Sequence, residues 1–126
     1  MAYTLEQQKQ HRKELVEALR SGKYEQTHSV LYEGNNSYCC LGVACEISGL
    51  DEFKIINSNN EHYYFDKSGL LPEKVMDYYG FKDREGMFCL YNSYYRLTSL
   101  NDTGFTFDQI ADIIEYEPKG LFHVSV

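Results

Sequence analysis

The sequence has no long apolar run. Its N-terminus, MAYTLEQQKQHRKEL, is polar and charged, without an apolar signal core, and no stretch approaches the length of a membrane span. The expectation is a cytoplasmic protein with no membrane partner. Basic residues are few, 12 against 19 acidic, for a formal net charge of −7. Such a surface repels phosphate backbones, which disfavours generic nucleic-acid binding. It still permits a small local cationic pocket, or mimicry of nucleic acid by carboxylates; solubility is the simpler reading of the charge. Proline is confined to Pro72 and Pro118, and there is neither a low-complexity tract nor an internal repeat. No glycine-rich phosphate loop, HExxH, GxSxG or paired-carboxylate signature occurs, and no carboxylate sits where it would be singled out as a general acid.

What is present suits one globular domain spanning residues 1–126. A chain of 126 residues with 43% apolar residues excludes wholesale disorder and can bury a core without disulfide staples. In a reducing compartment its four cysteines are expected as thiols, and the adjacent Cys39 and Cys40 cannot easily meet disulfide geometry.

Periodicity and capping signals outline the elements. Thr4 with Gln7 is a capping box that opens a helix over about residues 4–20. Leu15, Val16, Ala18 and Leu19 form its apolar stripe, Gln8, His11 and Arg12 leave its first half polar and solvated, and Ser21-Gly22 stops it. Val30 and Tyr32, then Gly34-Asn35-Asn36, then Tyr38-Cys39 read as a hairpin. Residues 40–47 read as a short buried helix closed by Ser48-Gly49-Leu50. A second strand pair, FKII and HYYFD, flanks the turn 57–60. Leu71-Pro72-Glu73 opens a helix that runs through Val75, Met76 and Tyr79 to Gly80. The aromatic segment GMFCLYNSYYRL suits a strand or a short helix, and residues 100–104 read as a turn. Thr106 with Gln109 is a second capping box, and Phe107, Ile110, Ala111 and Ile114 stripe a last helix that Pro118 and Gly120 end. Leu121 to Val124 are apolar enough to dock as an edge strand. The expected class is α+β, three or four helices on a small, mainly antiparallel sheet.

Three phrases in this order, ALRSGKY at 18–24, YCCLGVAC at 38–45, and Leu100-Asn101-Asp102 leading into FDQIADIIE at 107–115, resemble a set of small uncharacterised accessory proteins of tailed phages and prophages. The resemblance spans about Leu15 to Phe122, and Tyr-Cys-Cys-Leu-Gly-Val is its most specific part. Such relatives often carry a tryptophan near Val16, whereas this chain has none. The resemblance implies a setting, host takeover or counter-defence in the host cytoplasm, rather than a chemistry.

Four features bear on chemistry. Cys40 at a helix start would feel the positive end of the helix dipole, as in papain-like and NlpC/P60-like hydrolases, with His62 as its base and Asp66 to orient the base. The simpler reading makes Cys39, Cys40 and Cys45 small core residues. A metal site from Cys39, Cys40, Cys45 and Cys89 with His28 or His62 is not favoured, because the cysteines lack the paired spacing of zinc modules. The 12 tyrosines and 7 phenylalanines cluster at residues 63–65, 78–79 and 88–95. Consecutive residues of a strand face opposite ways, so some of these rings must be exposed. Tyr63, Tyr64, Tyr94 and Tyr95, with Arg96 as a phosphate clamp, are the candidate ligand-binding residues. Asn101 and Asp102 read as caps of the turn before the last helix.

The expectation is a non-enzymatic binder, without cofactor or metal, that sequesters a host nucleotide-type signal or occludes a host protein; homo-oligomers are compatible with the same surface. A hydrolase or transferase using Cys40, His62 and Asp66, and an acidic nucleic-acid mimic, are the alternatives.

Overall fold

The computed structural model describes residues 3–29, 31–34, 36–50, 54–56, 62–64 and 70–123, with backbone alone for 32–34, 54–56 and 62–64. The strand positions Val30, Asn35, Phe53, Phe65 and Val124, the turn 57–60, and Asp66 lie outside the described residues.

Helix α1 (Leu5–Arg20) begins at the expected capping box: Thr4 Oγ1 accepts from the Gln7 N–H at 3.1 Å, and Gln7 Oε1 accepts from the Thr4 N–H at 2.8 Å. Strands β1 (Glu25–Gln26), β2 (Tyr32–Gly34) and β3 (Ser37–Tyr38) form a small sheet in the order β1-β3-β2. The β2–β3 pair is the expected hairpin, with a register shift between Tyr32 and Gly34. β1 joins it in parallel, an element too short to carry a period of its own. Helix α2 (Cys40–Ser48) starts at Cys39 and stops at Gly49, whose φ of 72° lets the chain turn away. Strands β4 (Lys54–Ile56) and β5 (His62–Tyr64) pair antiparallel, Ile55 opposite Tyr63. Helix α3 (Glu73–Tyr79) opens at Pro72 and closes at Gly80.

The segment that suited either strand or helix is a hairpin, β6 (Met87–Leu90) and β7 (Ser93–Arg96). Tyr91 and Asn92 form its two-residue turn, with φ of 51° and 64°. Positive φ at both central positions matches the right-handed twist of the flanking strands. Residues 100–102 are not part of a turn. They complete a short helix, α4 (Leu97–Asp102), which brings the helices of the described residues to five. The last helix, α5 (Phe107–Tyr116), has the expected Thr106–Gln109 capping box. Beyond it, Phe122 bridges Phe81 antiparallel, so the tail docks as expected with Leu121 and Phe122 buried.

The chain is therefore α+β, but its core is built mainly by helices. α1 packs against α5, α2 and α3, and Leu15, Leu19, Leu41, Val43, Ile110 and Ile114 are all at most 2% exposed. The strands lie at the margins in three separate small sheets. Among the described residues no helix is long and apolar enough to cross a membrane.

The first half of α1 is solvated at Glu6, Gln7, Lys9 and Gln10 but not along the face of Gln8 and Arg12. Gln8 and Arg12 are buried, at 5% and 2% exposure. Three side chains on this helix meet the open C-terminal end of α3. Gln8 Nε2 donates to the Asp77 carbonyl at 2.7 Å, His11 Nδ1 lies 2.6 Å from the Tyr78 carbonyl, and Arg12 Nε donates to the Tyr79 carbonyl at 2.6 Å. The last carbonyls of a helix have no partner within it, so α1 supplies them from outside. Arg12 also pairs with Glu117 at 3.2 Å and lies 3.8 Å above the Phe122 ring. Gly80 is required here twice. Its φ is 87°, and a side chain at that position would meet Arg12 Nη2 at 2.5 Å.

Asn101 is a second buried polar hub, at 0% exposure. Its Oδ1 accepts from Gln26 Nε2 at 2.8 Å and from the Cys40 N–H at 3.2 Å, and its Nδ2 donates to the Thr27 carbonyl at 2.8 Å. The expected local cap of a turn is in fact a long-range tie between α4, β1 and the start of α2. Asp102 likewise reaches away, accepting from the Ser29 N–H at 2.8 Å.

Candidate functional site

The cysteine phrase begins α2 as the sequence suggests. Cys39 is its N-cap, with Sγ accepting from the Gly42 N–H at 3.3 Å, and Cys40 is its first residue. The environment makes these thiols poor nucleophiles. Cys39 is 4% exposed, Cys40 0% and Cys45 3%. Burial pushes the Cys39 thiol up to about 11, and pushes Cys40 and Cys45 well above the usual thiol range. The dipole of a helix end is worth about 0.3–1 kcal/mol. Removing an ionised group from water costs several kcal/mol, so desolvation wins. The Cys40 S–H points to the Leu97 carbonyl at 3.8 Å, a contact that suits the protonated thiol. His62 lies in β5 with its side chain outside the described residues, as is the whole of Asp66, so of the Cys40, His62, Asp66 constellation only the sulfur is placed. Among the described residues no three His, Cys, Asp or Glu side chains gather as a metal ion would require.

The buried thiols lead to a two-part prediction. Folded protein at pH 8 should leave Cys39, Cys40 and Cys45 unreactive toward a disulfide reagent, and all four thiols should react once the chain is unfolded. Stability should also fall at alkaline pH. The folded-state thiol values lie above the unfolded value of 9.0, so their contribution is complete below pH 9, and the share of Cys39 is lost by about pH 11. Fast labelling of Cys40 in the native protein would contradict this picture.

The aromatic candidates separate. Tyr63 and Tyr64 lie in β5, opposite Ile55 and Lys54, with their side chains outside the described residues. Tyr94, Tyr95 and Arg96 lie together on β7 and are exposed, Tyr94 at 75% and Tyr95 at 40%. The most exposed ring among the described residues, Tyr91 at 92%, is on the same hairpin and was not among the candidates. Its signal was the pair Tyr91-Asn92 between two four-residue runs, a turn in which asparagine tolerates positive φ.

The hairpin is firmly seated. Phe88 is buried at 2% and carries Tyr95 stacked above it, with ring centroids 5.6 Å apart. The Cys89 N–H donates to the Lys119 carbonyl at 2.8 Å, and the Leu97 N–H to the Gly86 carbonyl at 3.1 Å. Direct pairing of Phe88 with Tyr95 and of Cys89 with Tyr94 places Tyr95 on the inner face and Tyr94 on the outer. Arg96, two residues on, shares the outer face with Tyr94 and pairs with Glu85 at 3.4 Å. Tyr94 and Arg96 are thus brought together, and Tyr95 is turned away from them.

An open cleft of about 460 Å³ lies between Glu14, Glu17 and Ala18 of α1, Ser21, Lys23 and Tyr24 of the connection after it, and Ile47. Its two carboxylates against one lysine disfavour a phosphate.

The fold and hairpin together define a small α+β domain with exposed tyrosines on one hairpin and three buried thiols. A family model, the domain of unknown function DUF8296, matches residues 7–118, and the chain belongs to that family. No curated protein and no solved structure gives a significant match.

Proposed function

We propose that the chain is a non-enzymatic binding protein that occludes a partner protein through the β6–β7 hairpin. The observation that carries this reading is the exposure of Tyr91, Tyr94 and Tyr95 on one hairpin whose base is buried. A tyrosine offers a flat apolar face and a polar tip at small entropic cost, which is why such rings dominate interface energetics. The rings of Tyr91 and Tyr94 stand largely in solvent, which suits contact with a protein surface rather than enclosure of a small ligand. The burial of Cys39, Cys40 and Cys45 supports a role without covalent chemistry. The resemblance to tailed-phage accessory proteins supplies the setting we propose, a host protein blocked during takeover or counter-defence.

A nucleotide-type host signal is the second reading, favoured by one feature. Tyr94 and Arg96 share a face, a ring for stacking beside a cation for phosphate. Against it, Arg96 is already paired with Glu85.

The test is a Tyr91→Ala, Tyr94→Ala double variant compared with wild type in affinity purification from infected cells. Both side chains are largely in water, so melting temperature should hold within about 0.5 kcal/mol of stability. Binding of a captured host protein should weaken at least ~30-fold, as for a central aromatic anchor worth about 2 kcal/mol. Equal capture by both proteins would sink the hairpin reading. A mass of a few hundred daltons carried by the native protein and released on unfolding would decide for the nucleotide.

A further inference from the structure

Among the described residues, strand β7 is an open edge. In a hairpin with a two-residue turn, the residues flanking the turn form a hydrogen-bonded pair, and the pattern alternates from there. Leu90–Ser93 and Phe88–Tyr95 therefore exchange bonds, while the backbone groups of Cys89 and Tyr94 point outward. The Cys89 N–H confirms the phase on one side by donating to Lys119. On the other side, among the described residues, the outward N–H and C=O of Tyr94 and the outward N–H of Arg96 meet no backbone partner, while the Arg96 carbonyl, at the N-cap of α4, takes the first helical bond. Native proteins blunt such edges with proline, bulges, lysines or a covering segment. β7 has no proline, its register is regular, and all four of its residues are exposed. Its one charge, Arg96, is drawn back toward Glu85 of its own chain.

We infer that this edge pairs with the same edge of a second copy of the chain, β7 against β7 antiparallel about a two-fold axis at Tyr95. The sequence of the strand is complementary to itself in that register. Tyr94 of each copy falls opposite Arg96 of the other, so the Tyr94 N–H meets the second lone pair of the Arg96 carbonyl and the Arg96 N–H meets the Tyr94 carbonyl. On one face each Arg96 meets the ring of a Tyr94, a cation–π pair across the strands. On the other face the two Tyr95 rings are directly opposed as an aromatic pair. No two like charges are juxtaposed. Charge also selects this surface for self-association. A chain of net charge −7 repels its copies over most of its surface, and residues 86–101 are its longest stretch without a carboxylate. Pairing would join two hairpins into one four-stranded sheet whose outer face carries both copies of Tyr94 and Arg96. That platform would enlarge the proposed binding surface, but the pairing rests on the edge and its charge rather than on that role.

Sedimentation of the full chain from micromolar to millimolar concentration is the test. The expected result is a concentration-dependent rise toward twice 14.7 kDa. Tyr94→Pro removes an outward N–H and leaves the hairpin's own ladder intact, so it should be monomeric with circular dichroism unchanged. Two further variants guard against misfolding of the proline chain. Tyr94→Lys sets like charges opposite each other and should weaken the dimer about tenfold, whereas Tyr94→Glu faces Arg96 and should not. Wild type that stays monomeric throughout, or a dimer indifferent to Tyr94→Pro and Tyr94→Lys alike, overturns the inference. Either of those outcomes leaves the hairpin free to bind a host protein as a monomer, which the alanine variants read separately.

Discussion

Gly42→Ala should unfold the protein or cost it more than about 4 kcal/mol, the range reached by overpacking that cannot relax. Gly42 lies in the first turn of α2, where the helix meets the backbone of Leu31. A methyl group there would overlap the Leu31 carbonyl oxygen and sit 2.6 Å from its carbonyl carbon. Rotation of a side chain cannot relieve the clash, because the obstructing atoms are main chain. The same carbonyl accepts from the Cys39 N–H at 3.2 Å, so pushing it away would also break the tie between the start of α2 and the segment before β2. Leu31 itself is 1% exposed and would be drawn out of the core. Denaturant unfolding of Gly42→Ala checks this, and a loss below about 1 kcal/mol would show that the helix and the Leu31 segment are not in the described contact. The result would also give a physical reason for the glycine in the Tyr-Cys-Cys-Leu-Gly-Val phrase: it sets how closely a helix approaches a strand.

Arg12→Ala should destabilise the fold by about 3–4 kcal/mol, the cost of breaking a buried, hydrogen-bonded charge pair from one side. Arg12 is 2% exposed, and burial pulls its pKa down while Glu117 opposes that shift. Truncation would leave the Tyr79 carbonyl without its donor at the end of α3, Glu117 without its cation, and a void over Phe122. These contacts join α1 to α3, to the end of α5 and to the C-terminal tail, so the loss should appear as one cooperative shift in the unfolding midpoint. Arg12→Lys keeps the charge but not the planar fork that reaches both the carbonyl and Glu117, and should recover less than half of the loss. An Arg12→Ala protein within about 1 kcal/mol of wild type would refute the assignment of Arg12 as the link between these elements.

Both predictions concern residues whose roles the sequence conceals. Gln8 and Arg12 continue the helical stripe of Leu15 and Leu19, at spacings of four, three and four, yet their polarity reads as solvation. The stripe was the better guide: position on the helix determines burial, and burial then requires partners for the polar groups. Asn101 shows the same limit. Asparagine before a helix suggests a local cap, but three of its four bonds reach Gln26, Thr27 and Cys40, more than sixty residues away in sequence. Tyr94, Tyr95 and Arg96 were legible as a candidate surface because alternation forces neighbours onto opposite faces. Which face carried which ring, and that Tyr91 was the most exposed among the described rings, depended on the turn that set the register.

The sequence by itself determined what depends on near neighbours. Both capping boxes, the left-handed stops at Gly49 and Gly80, the stripe of α5, the hairpin before α2 and the α+β class follow from hydrogen bonds and steric limits acting within a few residues. It also placed Cys40 at a helix start, where its dipole would favour the thiolate. Only the tertiary structure decided that this sulfur is buried, because desolvation comes from atoms that other segments bring. It likewise decided that Arg12 and Asn101 are interior hubs and that, among the described residues, β7 is left with an open edge. Burial and edge exposure are sums over distant parts of the chain, and no local pattern contains them.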